Sequence, residues 1–351
     1  DTPSGIDAAT LEHSRLIILW GANVADTRLT CELSARVRRA RRRGVPVIVI
    51  DPRRTTTLRT MGSEWLPVRP GADSALMLAV LHVLVSEELA DRAFIARVSV
   101  GFERLERHVL GRDGTPAKTP TWAEGICGTP AAAIVDLARR YAAARPAALI
   151  PGLSIQRTIG GEEAIRLGIA LQVATGNIGR LGGSPGSPSW GRLPDPRVGR
   201  LPVPANPVGL SVPVYRWPDA ILEGRAGGYP SDVRAAYNVG GNYLVQGADV
   251  GKSARALASL AFAVCHDHFL TPTARYCDIV LPVAASPERE DIVFTEANML
   301  LYSHRAVPPP PGVPTDYDLF RALAERLGLE PAFSEGRDAT EWLEAFLAAS
   351  E

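Results

Sequence analysis

The 351-residue chain is poor in cysteine. It has four, Cys31, Cys127, Cys265 and Cys277, and no CxxC pair. That argues against a disulfide framework, a zinc ribbon or a locally encoded iron–sulfur cluster. It lacks an excess of either charge, with 38 Lys and Arg against 38 Asp and Glu. A uniformly basic nucleic-acid binder does not fit that balance. No run of 18 apolar residues occurs, so no segment reads as a direct membrane span. An initiator Met is also lacking, and the opening at Asp1 reads as a mature or excised piece of something longer. Two nucleotide-binding fingerprints are missing as well. Gly21 to Asp26 carries one glycine where the GxGxxG of NAD-dependent dehydrogenases needs three. There is no GxxxxGK[ST], which excludes a P-loop.

What remains is a globular composition, 46% hydrophobic and 22% charged, long enough for two domains. The first 150 residues alternate strand and helix. Leu16 to Trp20 is a continuous apolar run, as in a strand covered on both faces. A helix is expected after it, capped by Asp26 or Thr27, with Leu29, Leu33 and Val37 on its inner face. Its basic last turn, Arg39 to Arg43, reads as solvated, and Gly44 ends it. Val45 to Ile50 is the next strand, which makes a βαβ unit and parallel pairing. Asp73 starts an all-apolar helix through Val85 that must be buried. Thr129 reads as the cap of a helix with Pro130 at its first position. Ala147 to Pro151 is a strand, and a helix follows over 161–174.

Residues 181–218 differ in kind, holding nine of the 29 prolines. Long irregular connections are functional or are linkers, so the boundary is placed near 205. The second half repeats the theme. Strands are expected at Ala235 to Val239, Ala261 to Cys265 and Tyr276 to Leu281, with a short helix near Lys252 to Leu257. Thr315 caps a helix with Leu319, Phe320, Leu323 and Leu327 inward, and a last amphipathic helix covers 339–349. The fold class is therefore α/β, with parallel strands and helices in both halves.

Ligands of doubly wound sheets bind beyond the carboxyl ends of the strands. The polar residues there are Asn23, Asp51, Arg53 and Arg157 in the first half, and Asn242, Gln246, His266 and Asp267 in the second. An acid at the tip of the second strand, like Asp51, suits a ribose or a base edge. The plainer reading of Asp51-Pro52-Arg53 is a turn. His266 and His268 on an extended segment would share one side, but no third ligand accompanies them, so no metal ligands are assigned. Glu288 to Asp291 alone reads as a solvated charged loop. Cys265 and Cys277 read as small core residues.

Taken in order, these tips resemble the dimethyl sulfoxide reductase family of molybdopterin oxidoreductases. The resemblance rests on Trp20-Gly21-Ala22-Asn23, on Ile50-Asp51-Pro52-Arg53-Arg54-Thr55 and on Arg69-Pro70-Gly71-Ala72-Asp73. It continues through Lys118 to Glu124, Gly152-Leu153-Ser154-Ile155-Gln156-Arg157 and Thr175 to Gly179. In the second half Gly240-Gly241-Asn242, His266-Asp267, Thr271 to Pro282, Glu288-Arg289 and Asp291-Ile292 carry it. The proline-rich connection and the tail fall outside.

The resemblance implies two doubly wound, Rossmann-like lobes related by a pseudo-twofold, residues 1–205 and 206–351. Each would hold one dinucleotide of a Mo-bis(molybdopterin guanine dinucleotide). Gly21 and Asn23 would lie at the first dinucleotide loop, and Asp51 and Arg53 near guanine or ribose. Gly71 and Asp73 would meet the same nucleotide through a helix start. Leu153 and Arg157 would face the pterin, the phosphates or the substrate funnel. Arg157 is the candidate for orienting substrate. Gly240, Gly241, Asn242 and Gln246 would line the second pterin, and His266, Asp267 and Thr271 would bind the second nucleotide. Backbone N–H groups and Arg suit pyrophosphate, and Asp suits the guanine N–H edge.

The implied activity is oxygen-atom or hydroxyl transfer with Mo(VI)/Mo(IV) cycling, on a small substrate such as an S- or N-oxide. An iron–sulfur electron-transfer subunit is the implied partner. Several family members carry Trp where Leu153 stands and His where Gln246 stands, so their substrates do not transfer. The segment bearing the molybdenum ligand, the cysteine motif for a 4Fe–4S cluster and the closing β-barrel domain are not in these residues. A non-redox hydratase or transhydroxylase on the same scaffold, or an inactive binding fragment, are the rival readings. The compartment, periplasmic or cytoplasmic, is not encoded here.

Overall fold

The computed structural model describes residues 7–27, 32–188, 197–199, 201, 205, 209, 211–294 and 300–350. The chain divides into two compact units, residues 1–195 with 296–298, and residues 196–295 with 299–351. The boundary expected near 205 falls in a stretch whose residues mostly lie outside the described set.

The first unit runs β1 (Leu16–Trp20), α1 (Leu33–Arg42), β2 (Val47–Ile50), α2 (Thr56–Met61), β3 (Glu64–Leu66), α3 (Asp73–Ser86), α4 (Arg92–Val98), α5 (Phe102–Val109), α6 (Pro120–Cys127), α7 (Ala131–Ala143), β4 (Ala147–Pro151) and α8 (Glu162–Ala174). Its four strands are all parallel, in the order β3-β2-β1-β4. Alternate residues of the apolar strands feed two cores. Leu16, Ile18, Trp20, Ile48 and Ile50 pack with α3, α7 and α8 on one face. Ile17, Leu19, Val47 and Val49 pack with Leu33, Val37 and Ala40 of α1 on the other. Burial on both faces is why these strands read as unbroken apolar runs. The chain leaves β1 toward β2 on one side, while β4 pairs with β1 on the other. The carboxyl ends of β1 and β4 therefore form a topological switch point.

β4 is an edge strand, yet it is wholly buried. Side chains complete its hydrogen bonding. Asn177 Oδ1 accepts from the Ala147 amide at 3.0 Å, and Ser184 Oγ accepts from the Leu149 amide at 3.0 Å and donates to the Leu149 carbonyl at 2.7 Å. Gln172 ties Ser184 to Tyr141, whose O–H donates to Gln172 Oε1 at 2.5 Å. Burial pushes the Tyr141 phenol well above its usual range. A buried group stripped of its partner costs about 1–3 kcal/mol. Ser184→Ala is accordingly expected to speed hydrogen exchange of the Leu149 amide by about tenfold or more. An unchanged rate would contradict this account of the edge.

The second unit runs α9 (Trp217–Glu223), β5 (Ala235–Val239), α10 (Tyr243–Gln246), α11 (Val250–Ala258), β6 (Phe262–His266), β7 (Ile279–Leu281), β8 (Asp291–Phe294), β9 (Leu300–Ser303), α12 (Asp316–Arg326), α13 (Glu330–Ser334) and α14 (Ala339–Ala348). β5, β6 and β7 form a parallel sheet in that order, and β8 and β9 an antiparallel pair. Among the described residues no helix is long and apolar enough to cross a membrane.

Several local expectations are corrected. α1 begins at Leu33, not near Thr27. The amides of Asp26 and Thr27 turn back onto the Asn23 carbonyl, which holds that segment as a loop. Leu29 and Cys31 lie outside the described residues. Thr129 does not cap α7: its hydroxyl donates to the Pro67 carbonyl at 2.6 Å, and Pro130 precedes the helix. The strand expected from Tyr276 starts at Ile279, after a turn of 3-10 helix over Ala274–Tyr276. Leu323 and Leu327 of α12 are 38% and 63% exposed, because that helix is seated through Phe320 and Ala324 instead. The basic turn of α1 is not wholly solvated, since Arg39 and Arg43 reach Glu12. The Glu288–Asp291 run is ordered. Glu288 accepts from the Ala285 amide at 2.8 Å, and Asp291 accepts from two nitrogens of Arg289 at 3.1 and 3.0 Å.

Candidate functional site

A cleft of about 380 Å³ opens at the switch point of the first sheet. The loop after β1 forms one wall and the loop after β4 another. They approach so closely that neither tolerates a side chain at its glycine. A Cβ on Gly152 would fall within the Gly21 carbonyl, and one on Gly21 would stand 2.5 Å from Ile155 Cγ2. Gly21 also has φ +59°, the left-handed region. Ser154 Oγ donates to the Gly21 carbonyl at 2.8 Å, and the Gly152 amide to the Trp20 carbonyl at 2.8 Å. The two loops are one unit. The amides of Ala22 and Asn23 donate to no other group among the described residues.

Asn23 holds its own loop. Its Nδ2 donates to Asp26 at 2.8 Å, and its Oδ1 accepts from Thr57 Oγ1 at 2.7 Å. Thr57 in turn accepts from the Ala25 amide at 2.9 Å. Sequence reasoning passed over Thr57, because the contact spans 34 residues.

Two buried carboxylates face the cleft, Asp51 at the tip of β2 and Asp73 at the start of α3. Asp51 accepts from the Arg53 amide at 2.9 Å, so the turn reading of Asp51-Pro52-Arg53 also holds. Asp73 Oδ1 accepts from the Trp20 indole N–H at 2.9 Å. Burial raises the Asp73 pKa above the usual aspartate range, and the negative charge of Asp51 adds to this. The Trp20 bond opposes it. A buried Trp needs a partner for its N–H, a signal that could have paired Trp20 with Asp73.

Of the residues expected at the first site, the cleft brings together Gly21, Asn23, Asp51, Arg53, Gly71, Asp73 and Leu153. Arg157 is not among its lining residues. It is exposed, one residue beyond the short helical turn of Leu153–Gln156, and Thr158 lines the cleft instead.

In the second unit Gly240, Gly241 and Asn242 follow β5, and Gln246 ends α10 with an exposed side chain. Asp267 accepts from Thr271 Oγ1 at 3.0 Å and from the Phe269 amide at 3.2 Å, which ties those expected residues into one turn. The ring of His266 is 0% exposed. Nε2 faces the Tyr237 hydroxyl at 2.7 Å, and Nδ1 faces Asp316 at 2.9 Å. Both ring nitrogens are engaged inside the unit. His268 is exposed beside Phe269, apart from His266. Among the described residues no cluster of three or more His, Cys, Asp or Glu is arranged to hold a metal ion. Cys265 is buried, and burial pushes the Cys277 thiol up to about 11.

The family model for molybdopterin oxidoreductases matches residues 4–326. Dimethyl sulfoxide reductase DmsA of Escherichia coli is 32% identical over 99% of this chain and 46% of its own length. A dimethyl sulfoxide/trimethylamine N-oxide reductase of Rhodobacter capsulatus is 35% identical over 87% of this chain and 40% of its own. The chain thus spans about half the length of the curated relatives it matches. The structure of acetylene hydratase from Pelobacter acetylenicus superposes with a TM-score of 0.66 at 22% identity, covering 96% of this chain and 54% of that one. That likeness shows the fold.

Proposed function

The chain belongs to the molybdopterin oxidoreductases, within the dimethyl sulfoxide reductase family, and from that premise we propose that it is the dinucleotide-binding part of an S- or N-oxide reductase. Each α/β unit holds one molybdopterin guanine dinucleotide. The observation that carries this reading is the cleft at the β1/β4 switch point. It joins loop amides that donate to no other group among the described residues to two buried carboxylates, the donor and acceptor set that a pyrophosphate and a guanine edge require.

The residues present fit the group. The Ala22 and Asn23 amides cradle pyrophosphate oxygens. Asp73, partly desolvated and oriented by Trp20, accepts from guanine N–H groups. Arg53, exposed at the rim, screens phosphate charge, and Leu153 presents an apolar wall. In the second unit the Gly240–Asn242 loop takes the corresponding place, and Asp267 with Thr271 forms the nucleotide turn. Arg157, outside the cleft, is free to meet an anionic or polar substrate. When bound, the molybdenum centre supplies two-electron oxygen-atom transfer between substrate and water. The protein supplies binding, orientation and exclusion of water. Catalysis belongs to the full-length protein, with a 4Fe–4S cluster and an iron–sulfur subunit as the route for electrons.

The test is turnover of the full-length protein with an S-oxide and an N-oxide, using a reduced dye as electron donor, followed by electron paramagnetic resonance. A transient Mo(V) signal with consumption of the oxide is expected. Turnover of a substrate by hydration alone, with no Mo(V) signal, would replace this reading with the hydratase one.

A further inference from the structure

The loop after β5 is held from beneath by a side chain that no motif singles out. Asn238 Nδ2 donates to the Gly241 carbonyl at 2.7 Å and to Cys265 Sγ at 3.2 Å. Its Oδ1 is buried and has no hydrogen-bond partner among the described residues. Leaving a buried acceptor unmade is destabilising, so the two bonds from Nδ2 are held at a cost in this unit. Gly241 is matched to this side chain. A Cβ on Gly241 would stand 3.1 Å from Asn238 Oδ1 and would collide with the Tyr243 ring.

The consequence follows from peptide geometry. The Gly241 carbonyl and the Asn242 N–H belong to one planar trans peptide and point in opposite directions. With the carbonyl drawn down onto Asn238, the Asn242 N–H faces away from that side chain. Neither it nor the Gly241 N–H donates to another group among the described residues. The loop is also clamped at its far end. Asn242 Oδ1 accepts from the Thr273 amide at 3.2 Å and from Thr273 Oγ1 at 2.9 Å, and Thr273 Oγ1 accepts from the Leu244 amide at 2.9 Å. With both ends fixed, the middle peptide has one orientation left to set, and Asn238 sets it.

We infer that Asn238 is a positioning residue for the second dinucleotide: it orients the Gly241–Asn242 peptide so that its N–H is presented to a phosphate or carbonyl oxygen of the bound group. This rests on the functional reading above. The donor–acceptor relation is what matters, so Asn238→Asp is the informative change. The shape is kept, but an ionised carboxylate repels the Gly241 carbonyl and turns the peptide over. A protonated carboxyl donates to that carbonyl and restores it, and burial beside a carbonyl oxygen raises the pKa of such a carboxyl above the ordinary aspartate value, so that the lower pH reaches the protonated form.

The experiment uses the full-length holoenzyme, as wild type, Asn238→Asp and Asn238→Ala. Guanine nucleotide released per chain is counted after incubation at about pH 5 and about pH 8, alongside thermal unfolding. Wild type is expected to hold two nucleotides at both values. Asn238→Asp is expected to hold about one at the higher pH and to approach two at the lower, with nearly unchanged unfolding. Asn238→Ala is expected to hold about one at both. Two nucleotides retained by Asn238→Asp at the higher pH would overturn the inference and leave the functional reading intact. So would joint loss of both nucleotides with a collapse in unfolding temperature, because that marks a merely structural role. A wild type holding no guanine nucleotide would overturn both.

Discussion

Gly152→Ala is expected to be among the most damaging single methyl groups in the first unit. The position has ordinary extended backbone, with φ −81° and ψ 163°, so no conformational preference opposes alanine. The obstacle is steric alone. The new Cβ would fall within the Gly21 carbonyl and stand 2.9 Å from Ala22 Cα. Gly21 cannot retreat, because its amide is bonded to the Ile50 carbonyl at 2.8 Å and its own carbonyl to Ser154. Overpacking of a fixed backbone costs about 1–3 kcal/mol and occasionally more, and this case belongs at or above the upper end. Against a typical total of about 5–15 kcal/mol, that lowers the unfolding temperature by several degrees and parts the two loops. In the full-length protein the variant is expected to lose the first-site guanine nucleotide. Gly71→Ala is the control. Gly71 has φ +79° but open space around a Cβ, so only the left-handed strain applies, about 1–2 kcal/mol. Equal behaviour of the two variants in calorimetry would contradict the close-approach argument.

Asp73→Asn is expected to separate stability from binding. The amide oxygen still accepts from the Trp20 indole, so the buried N–H keeps its partner. What is lost is a charge whose burial raises the folded-state pKa above the unfolded one. For such a carboxyl the folded state binds the proton more tightly. Its stabilising contribution is therefore fully present below the usual aspartate range and is lost as pH rises through the raised value. Near neutral pH the ionised carboxylate is a burden on the nucleotide-free fold, and Asn removes it. The nucleotide-free variant is expected to unfold at a higher temperature than wild type near neutral pH, with the gap closing as pH falls. Nucleotide binding moves the other way. A charge-assisted bond to guanine contributes about 1.5–3 kcal/mol, so affinity should fall about 10- to 100-fold. A variant that is less stable at neutral pH, or that binds guanine nucleotide as tightly as wild type, would remove Asp73 from its assigned role.

Much of the first unit was legible in the sequence because its central strands are buried on both faces. Leu16 to Trp20 and Val47 to Ile50 contain no polar residue to obscure them. The first-site motif positions gather at the carboxyl ends of these strands, where the parallel order of the sheet places them. What was hidden depends on contacts distant in sequence. The clash at Gly152 exists only because β4 pairs with β1 across more than a hundred residues. The imidazole of His266 is withdrawn from the surface by Tyr237 and Asp316, 29 and 50 residues away. Arg157 shares a motif with Leu153, but a single helical turn separates its side chain from the cleft. The start of α1 was misplaced because Asn23, read as a ligand residue, also folds the following turn onto its own carbonyl.

Each unit is proposed to hold one guanine dinucleotide of a molybdenum cofactor. The most direct test is the stoichiometry of the purified full-length protein, with molybdenum measured by elemental analysis and guanine nucleotide by chromatography after acid release. The account predicts two guanine nucleotides for each molybdenum. A protein carrying neither, or one carrying molybdenum with no guanine nucleotide, would contradict it.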